Sequence, residues 1–263
     1  MMRIARKNCW KVSGIFFLMC CLCSSAAVAE DLNRVTVCYE PAPGTLKDDP
    51  HIANSNFFNY IVSEAFVQIG IKVSFDLEHT FKSCLLLAQQ GRVDFVSGAY
   101  YDQERAKIFD YSDHYYTLTP QIFYTTSHPV SITQVSDLKK YRGCGIYGSS
   151  YSHYGLVQND LDLGPGYESM FNKLLARRCD YFVEELEVVY EMGPKGRSFL
   201  DSQAITHADV SGARAPSRYL ITRKNSLASQ LLPKFNQALI VVINSPKAKE
   251  LWNRDHNGVV YKK

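Results

Sequence analysis

Between Val35 and Val96 short apolar runs alternate with amphipathic segments, and that alternation constrains the fold more than any other feature. Val35-Thr-Val-Cys-Tyr39 alternates as a strand. From Asn56 to Gly70, Phe57, Ile61, Ala65 and Val62, Phe66, Ile69 recur at helical spacing, and Gly70 is a stop. Ile71-Lys-Val-Ser-Phe75 is the next strand, Phe81 to Gln90 the next helix, and Val93, Phe95 and Val96 the next strand. Strand, helix, strand, helix, strand predicts an α/β fold with mostly parallel sheets, because parallel neighbours need helical crossovers.

The first residues read as an export signal. Arg3, Arg6, Lys7 and Lys11 form a positive start, Ile15 to Cys23 an apolar core, and Ala27-Val28-Ala29 a small-x-small cleavage pattern. Cleavage before Glu30 is expected; an uncleaved anchor helix is the alternative. Removing 1–29 takes away four positive and no acidic residues, so the net charge of +3 becomes −1 and gives no case for nucleic acid. Four of the eight cysteines leave as well. Cys38, Cys84, Cys144 and Cys179 remain, an even number in an exported chain, which predicts disulfides with three possible connectivities, against four buried thiols. No zinc spacing is present, and no cofactor is implied.

One stretch carries candidate chemistry. Gly91-Arg-Val-Asp94 ends a helix and opens a strand, Gly98-Ala99 permits close backbone approach, and Asp102 or Gln103 opens a turn presenting Arg105. A guanidinium at the C-terminal end of a parallel strand suits a carboxylate. Gln90 to Val96 is echoed by Ala176 to Val183, which points to two similar lobes in which Asp94 and Asp180 are structural. Gly148-Ser149-Ser150-Tyr151 follows the strand Tyr141 to Tyr147; a helix starting there would offer N–H groups, hydroxyls and a positive dipole end to an anion. Glu184 and Glu185 close the strand Cys179 to Val183, where open α/β sheets bind ligands. Gly193 to Ala215 is loop-rich and gives little signal.

Taken together, Gly91-Arg-Val-Asp94, Glu104-Arg105 and Tyr111-Ser-Asp-His-Tyr115 resemble, in order and spacing, the periplasmic solute-binding proteins that serve amino-acid ABC importers (bacterial solute-binding proteins of family 3). The resemblance spans nearly the whole exported chain. It implies a two-lobed fold of the periplasmic-binding-protein type II kind, with lobe 1 at 30–123 plus 218–263, lobe 2 at 124–217, and two crossing hinge strands. Disulfides Cys38–Cys84 and Cys144–Cys179 would then each lie within one lobe.

By the same resemblance, Arg105 holds a ligand carboxylate from one lobe while Ser149 and Ser150 hold it from the other. An ammonium falls to Glu185, or to Glu184 after a one-residue slip. Glu40 stands where relatives carry an acidic residue near the ligand side chain, implying a positive or hydrogen-bond-donating tail. Tyr100, Tyr101, Tyr115 and Tyr151 are candidates for an aromatic wall. Two departures stand out: the Asp94–Arg105 loop is one residue short, and Gly98, Ala99 and Tyr100 replace serines. A small carboxylate is therefore implied more firmly than an α-amino acid. The expected protein is a non-enzymatic periplasmic monomer that captures an amino acid or similar carboxylate for an ABC permease. The alternatives are a ligand sensor for a membrane receptor, and a dehydratase-like enzyme using Glu184 or Glu185 as general acid. His51, His79, His114, His128, His153 and His207 are scattered and form no catalytic set.

Overall fold

The computed structural model describes residues 32–41, 56–191, 199–256 and 258–263. The expected signal segment 1–29 lies outside them. The first lobe begins with β1 (Arg34–Cys38), α1 (Phe57–Gln68), β2 (Lys72–Asp76), α2 (Phe81–Gln89), β3 (Phe95–Tyr100) and β4 (Phe109–Tyr111). The second holds β5 (Pro120–Thr125), β6 (Gly143–Ile146), β7 (Leu161–Gly164), α3 (Tyr167–Leu175), β8 (Tyr181–Glu185), α4 (Leu186–Glu191) and β9 (Ile205–Asp209). The chain then returns as β10 (Arg218–Arg223), α5 (Leu232–Ile243) and α6 (Pro246–Asp255).

The strands form two five-stranded sheets, ordered β2-β1-β3-β10-β4 and β7-β6-β8-β5-β9. Each has three neighbouring parallel strands, then one antiparallel strand (β10 or β5), then a last strand (β4 or β9) antiparallel to that one, so the sheets are mixed. The parallel strands β1, β3, β6 and β8 direct their C-terminal ends to the cleft, which is why Glu40, Tyr100, Arg105, Ser149, Ser150 and Glu184 lie at or shortly after a strand end. The lobe boundary expected at 123/124 falls inside β5, which pairs along its length with β8 and β9 and so belongs entirely to the second sheet. β9 lies in the stretch whose sequence was uninformative: only Ile205 of its five residues is fully buried, so no alternation marks it.

Helix ends follow local chemistry. The Asn56 side chain accepts from Asn59 N at 2.8 Å and caps α1. Ser245 caps α6 by accepting from Ala248 N. Gly91 takes φ +73° just past α2, a conformation that L side chains rarely adopt. Pro233 occupies the first turn of α5, where its missing N–H costs nothing. The sequence echo has a shared structural cause. Asp94 Oδ2 accepts from Thr36 N at 2.7 Å, and Asp180 Oδ2 from Arg142 N at 2.9 Å, so each clamps the strand beside it.

The crossings between lobes run side by side: Thr117 bridges Ser217, and Leu118 N donates to Pro216 O at 2.9 Å. Tyr116 anchors them, packing edge-on against Phe57 and Trp252 in the first lobe's core. Among the described residues no helix is long and apolar enough to cross a membrane.

Cys38 pairs with Cys84 and Cys144 with Cys179, across Cα separations of 5.6 and 5.7 Å. The bridges close segments of 46 and 35 residues, and by loop-closure entropy each contributes about 4 kcal/mol. Replacing Cys38 and Cys84 together by alanine should therefore lower the unfolding free energy by about 4 kcal/mol in denaturant titrations. A change under about 1 kcal/mol would contradict this assignment of the bridge's role.

Candidate functional site

A cavity of about 50 Å³ lies between the sheets. From the first lobe it is lined by Glu40, Phe58, Phe81, Ser97, Tyr100, Arg105 and Arg218, among others, and from the second by Ser149, Ser150, Tyr167 and Glu184. Two guanidiniums face it. Arg105 sits on the short turn after β3, where Asp102 Oδ1 accepts from its backbone N at 2.9 Å. Its Nη1 donates to Tyr100 O at 2.8 Å in its own lobe, and its Nη2 to Gly148 O at 2.7 Å in the other. The plane lies over the Phe81 ring. Arg218, the first residue of β10, rests against the Phe58 and Tyr100 rings.

The second lobe supplies hydroxyls and carboxyls. Gly148 takes φ +87° to turn the chain after β6 and aims its carbonyl at Arg105. Ser150 Oγ donates to Asp102 Oδ2 at 2.9 Å, across the cleft. Partial burial works against charge on Asp102, but the Arg105 N–H, the Ser150 hydroxyl and the Arg105 guanidinium hold its carboxyl below the usual range. Glu184, the last residue but one of β8, has 7 % of its surface exposed. The Tyr100 hydroxyl donates to Glu184 Oε1 at 2.8 Å and also to Glu185, so one phenol of the first lobe binds both carboxyls of the second.

The sequence matches, over residues 58–254, the family described as bacterial extracellular solute-binding proteins, family 3. The chain belongs to this family. Among solved structures it resembles a substrate-binding protein of an amino acid ABC transporter at 18 % identity and a TM-score of 0.67, covering 85 % of this chain and 99 % of that one. It is similar to an ancestral arginine-binding protein bound to arginine (22 % identity, 85 % and 98 % covered, TM-score 0.66). It also resembles a histidine kinase sensor domain with similarity to periplasmic binding proteins (17 %, 88 % and 97 %, 0.67). At these identities the likeness is one of fold. No curated protein matches the sequence.

In this solute-binding protein Arg105, Ser149, Ser150, Glu184, Glu40 and Tyr100 come together around one cavity. Three expectations change. Ser149 and Ser150 do not open a helix: only a three-residue 3₁₀ turn follows, Ser152–Tyr154, so a helix dipole is absent and what they present is hydroxyl and loop backbone. Tyr101 lies one residue past β3, 58 % exposed and packed on Tyr111, because successive positions at the strand's end point apart. Glu185 points away from the cavity, fully buried, where His153 Nε2 lies 2.8 Å and the Tyr154 hydroxyl 3.1 Å from its Oε1. Glu184, its neighbour across the pleat, lines the cavity instead. Arg218 and Tyr167 escaped the sequence reading, since neither belongs to a local motif; only the return of the chain as β10 brings Arg218 beside β3.

Burial dominates the electrostatics. Burial first, then the Glu185 carboxyl, pushes Glu184 well above the usual carboxylate range, against the pull of Arg218 and the Tyr100 hydroxyl. The neutral acid is favoured there. Glu40 is raised to about 7, chiefly by burial. His153 is lowered to about 4 because its cation would lose hydration. Between the ordinary histidine value near 6.5 and about 4, the unfolded chain binds this proton and the native chain does not, so His153 withdraws stability as pH falls through that window. In an NMR titration the His153 ring carbons should move with a midpoint near 4; a midpoint near 6.5 would show that the ring is not buried as described.

Proposed function

We propose that this protein is a periplasmic solute-binding protein that captures an amino acid or similar small carboxylate between its lobes and delivers it to the permease of an ABC importer. One observation carries the reading: two guanidiniums of one lobe and an acid of the other face a single cavity. Arg105 and Arg218 meet the ligand's carboxylate, with Ser150 and the Ser149 loop closing on its other face. Glu184 meets its ammonium. An entering cation favours the ionised form, so Glu184 gives up its proton as the ammonium docks. Phe58, Phe81 and Tyr100 supply ring faces. Because both lobes grip one solute, binding selects the closed arrangement.

The relatives support this class of ligand: one serves an amino acid ABC transporter and another was solved with arginine. The sensor relative makes signalling to a membrane receptor the second reading, and both readings share the same ligand chemistry. The buried acid Glu184, held neutral, is what a dehydratase-like reading would use, so the test follows turnover as well as binding.

A thermal-shift screen of amino acids, small carboxylates and polyamines should find stabilisation by compounds carrying both a carboxylate and an amine, with the compound recovered unchanged. Stabilisation by polyamines alone would overturn the carboxylate clamp, and product formation would favour the enzyme. For the best ligand, Arg105→Ala or Glu184→Gln should weaken binding by about 10- to 100-fold in calorimetry, the range for a lost charge-assisted hydrogen bond. An unchanged affinity for either variant would remove that residue from the clamp.

A further inference from the structure

Gly166 precedes α3 in the second lobe with φ −177° and ψ −175°, an extended conformation open to any residue. What holds a glycine there is space. A Cβ would lie 2.2 Å from Glu40 Oε1 and 3.4 Å from Glu40 Cδ, so the first lobe's carboxyl presses directly on the second lobe's backbone. Glu40 Oε2 also accepts from Phe81 N, the first residue of α2, at 3.1 Å. The same carboxyl faces the N–H of Tyr167, the first residue of α3, closely enough for that donor to work against the rise in its pKa.

The two helices differ in their need. α2 has its own cap, since the Thr80 side chain accepts from Ser83 N. α3 has no side-chain cap, because its cap position is Gly166. Both helices are nine residues long, so both starts carry partial positive charge, and both converge on one acceptor.

We infer that Glu40 caps α3 across the cleft and is thereby a specificity-determining residue: it ties the lobes together at Gly166, ends the cavity there, and restricts the cargo to short solutes without a cationic tail. The restriction rests on the solute-binding reading above; the cap does not. For Glu40 to meet a ligand's cationic tail instead, its carboxyl would have to leave the starts of both helices. Facing it are the Glu184 carboxyl from β8, the Tyr167 phenol from α3 and, around the same cavity, Arg105 and Arg218.

The test needs no known ligand for its first arm. Hydrogen exchange of the α3 first-turn amides, Tyr167 above all, is measured in the full protein and in Glu40→Gln, Glu40→Ala, Gly166→Ala and the Gly166→Ala/Glu40→Asp double variant. Glu40→Gln keeps one of the two acceptor oxygens and should speed Tyr167 exchange less than Glu40→Ala does. Glu40→Ala and Gly166→Ala should speed Tyr167 exchange about tenfold, as loss of a cap does. The double variant, whose shorter acid makes room for the new methyl, should recover much of the protection. Equal Tyr167 exchange in wild type and Glu40→Ala overturns the cap.

The second arm compares thermal shifts by L-serine and L-arginine. L-Arginine should stabilise Glu40→Ala and leave the wild type unmoved. Stabilisation of the wild type by L-arginine that is lost in Glu40→Ala overturns the specificity role and makes Glu40 a counter-charge. Failure of every amino acid and carboxylate on all variants, with the exchange result intact, would instead count against the solute reading and against the restriction built on it.

Discussion

Arg105 joins the two halves of this molecule with a single guanidinium, donating to Tyr100 O on one side and Gly148 O on the other. Around it are Ser150 on Asp102, Tyr100 on the Glu184–Glu185 pair, and Glu40 against Gly166. All these contacts are polar, and all flank one small cavity. Such contacts exchange at little cost. A bond between lobes exchanges for a bond to water at a net cost of only about 1 kcal/mol, whereas a large apolar seam would hold the lobes shut. The apolar burial that stabilises the protein lies mostly elsewhere, in residues such as Phe57, Phe66, Phe235 and Trp252, and the disulfides reinforce each lobe by itself.

Much of this was legible in the residues. Helices α1 and α2 announce themselves by period and by the glycines that follow them, Gly70 and Gly91, and the short strands by their position between them. The order of motifs from Gly91 to Tyr116 was enough to pick out Arg105, because the geometry of a strand end is local. What stayed hidden was non-local or depended on a single residue of register. Arg218 reaches the cavity only because the chain returns as an antiparallel strand beside β3. All five residues of β8 are buried, so no polar alternation says which of Glu184 and Glu185 faces the cleft. The serines after β6 looked like the start of a helix, but His153 turns inward toward Glu185 and Gly155 ends the turn after three residues.

The cleft is also an unusual electrostatic object. It sets two guanidiniums beside carboxyls that burial pushes toward their neutral forms. A neutral acid can donate to a carboxylate or, once ionised, accept from an ammonium. The same wall can therefore serve either end of a zwitterion. Burial first, and then the Glu185 carboxyl held behind by His153, Tyr154 and Tyr100, favours the neutral form of Glu184.

The central claim is that one solute is held by groups from both lobes at once. A crystal structure of the protein grown with its most stabilising amino acid or carboxylate tests this most directly. The account predicts the solute's carboxylate within hydrogen-bond distance of Arg105 or Arg218 and of the Ser149–Ser150 loop, with any ammonium against Glu184. A solute bound to one lobe alone, or lying outside this cavity, would contradict it.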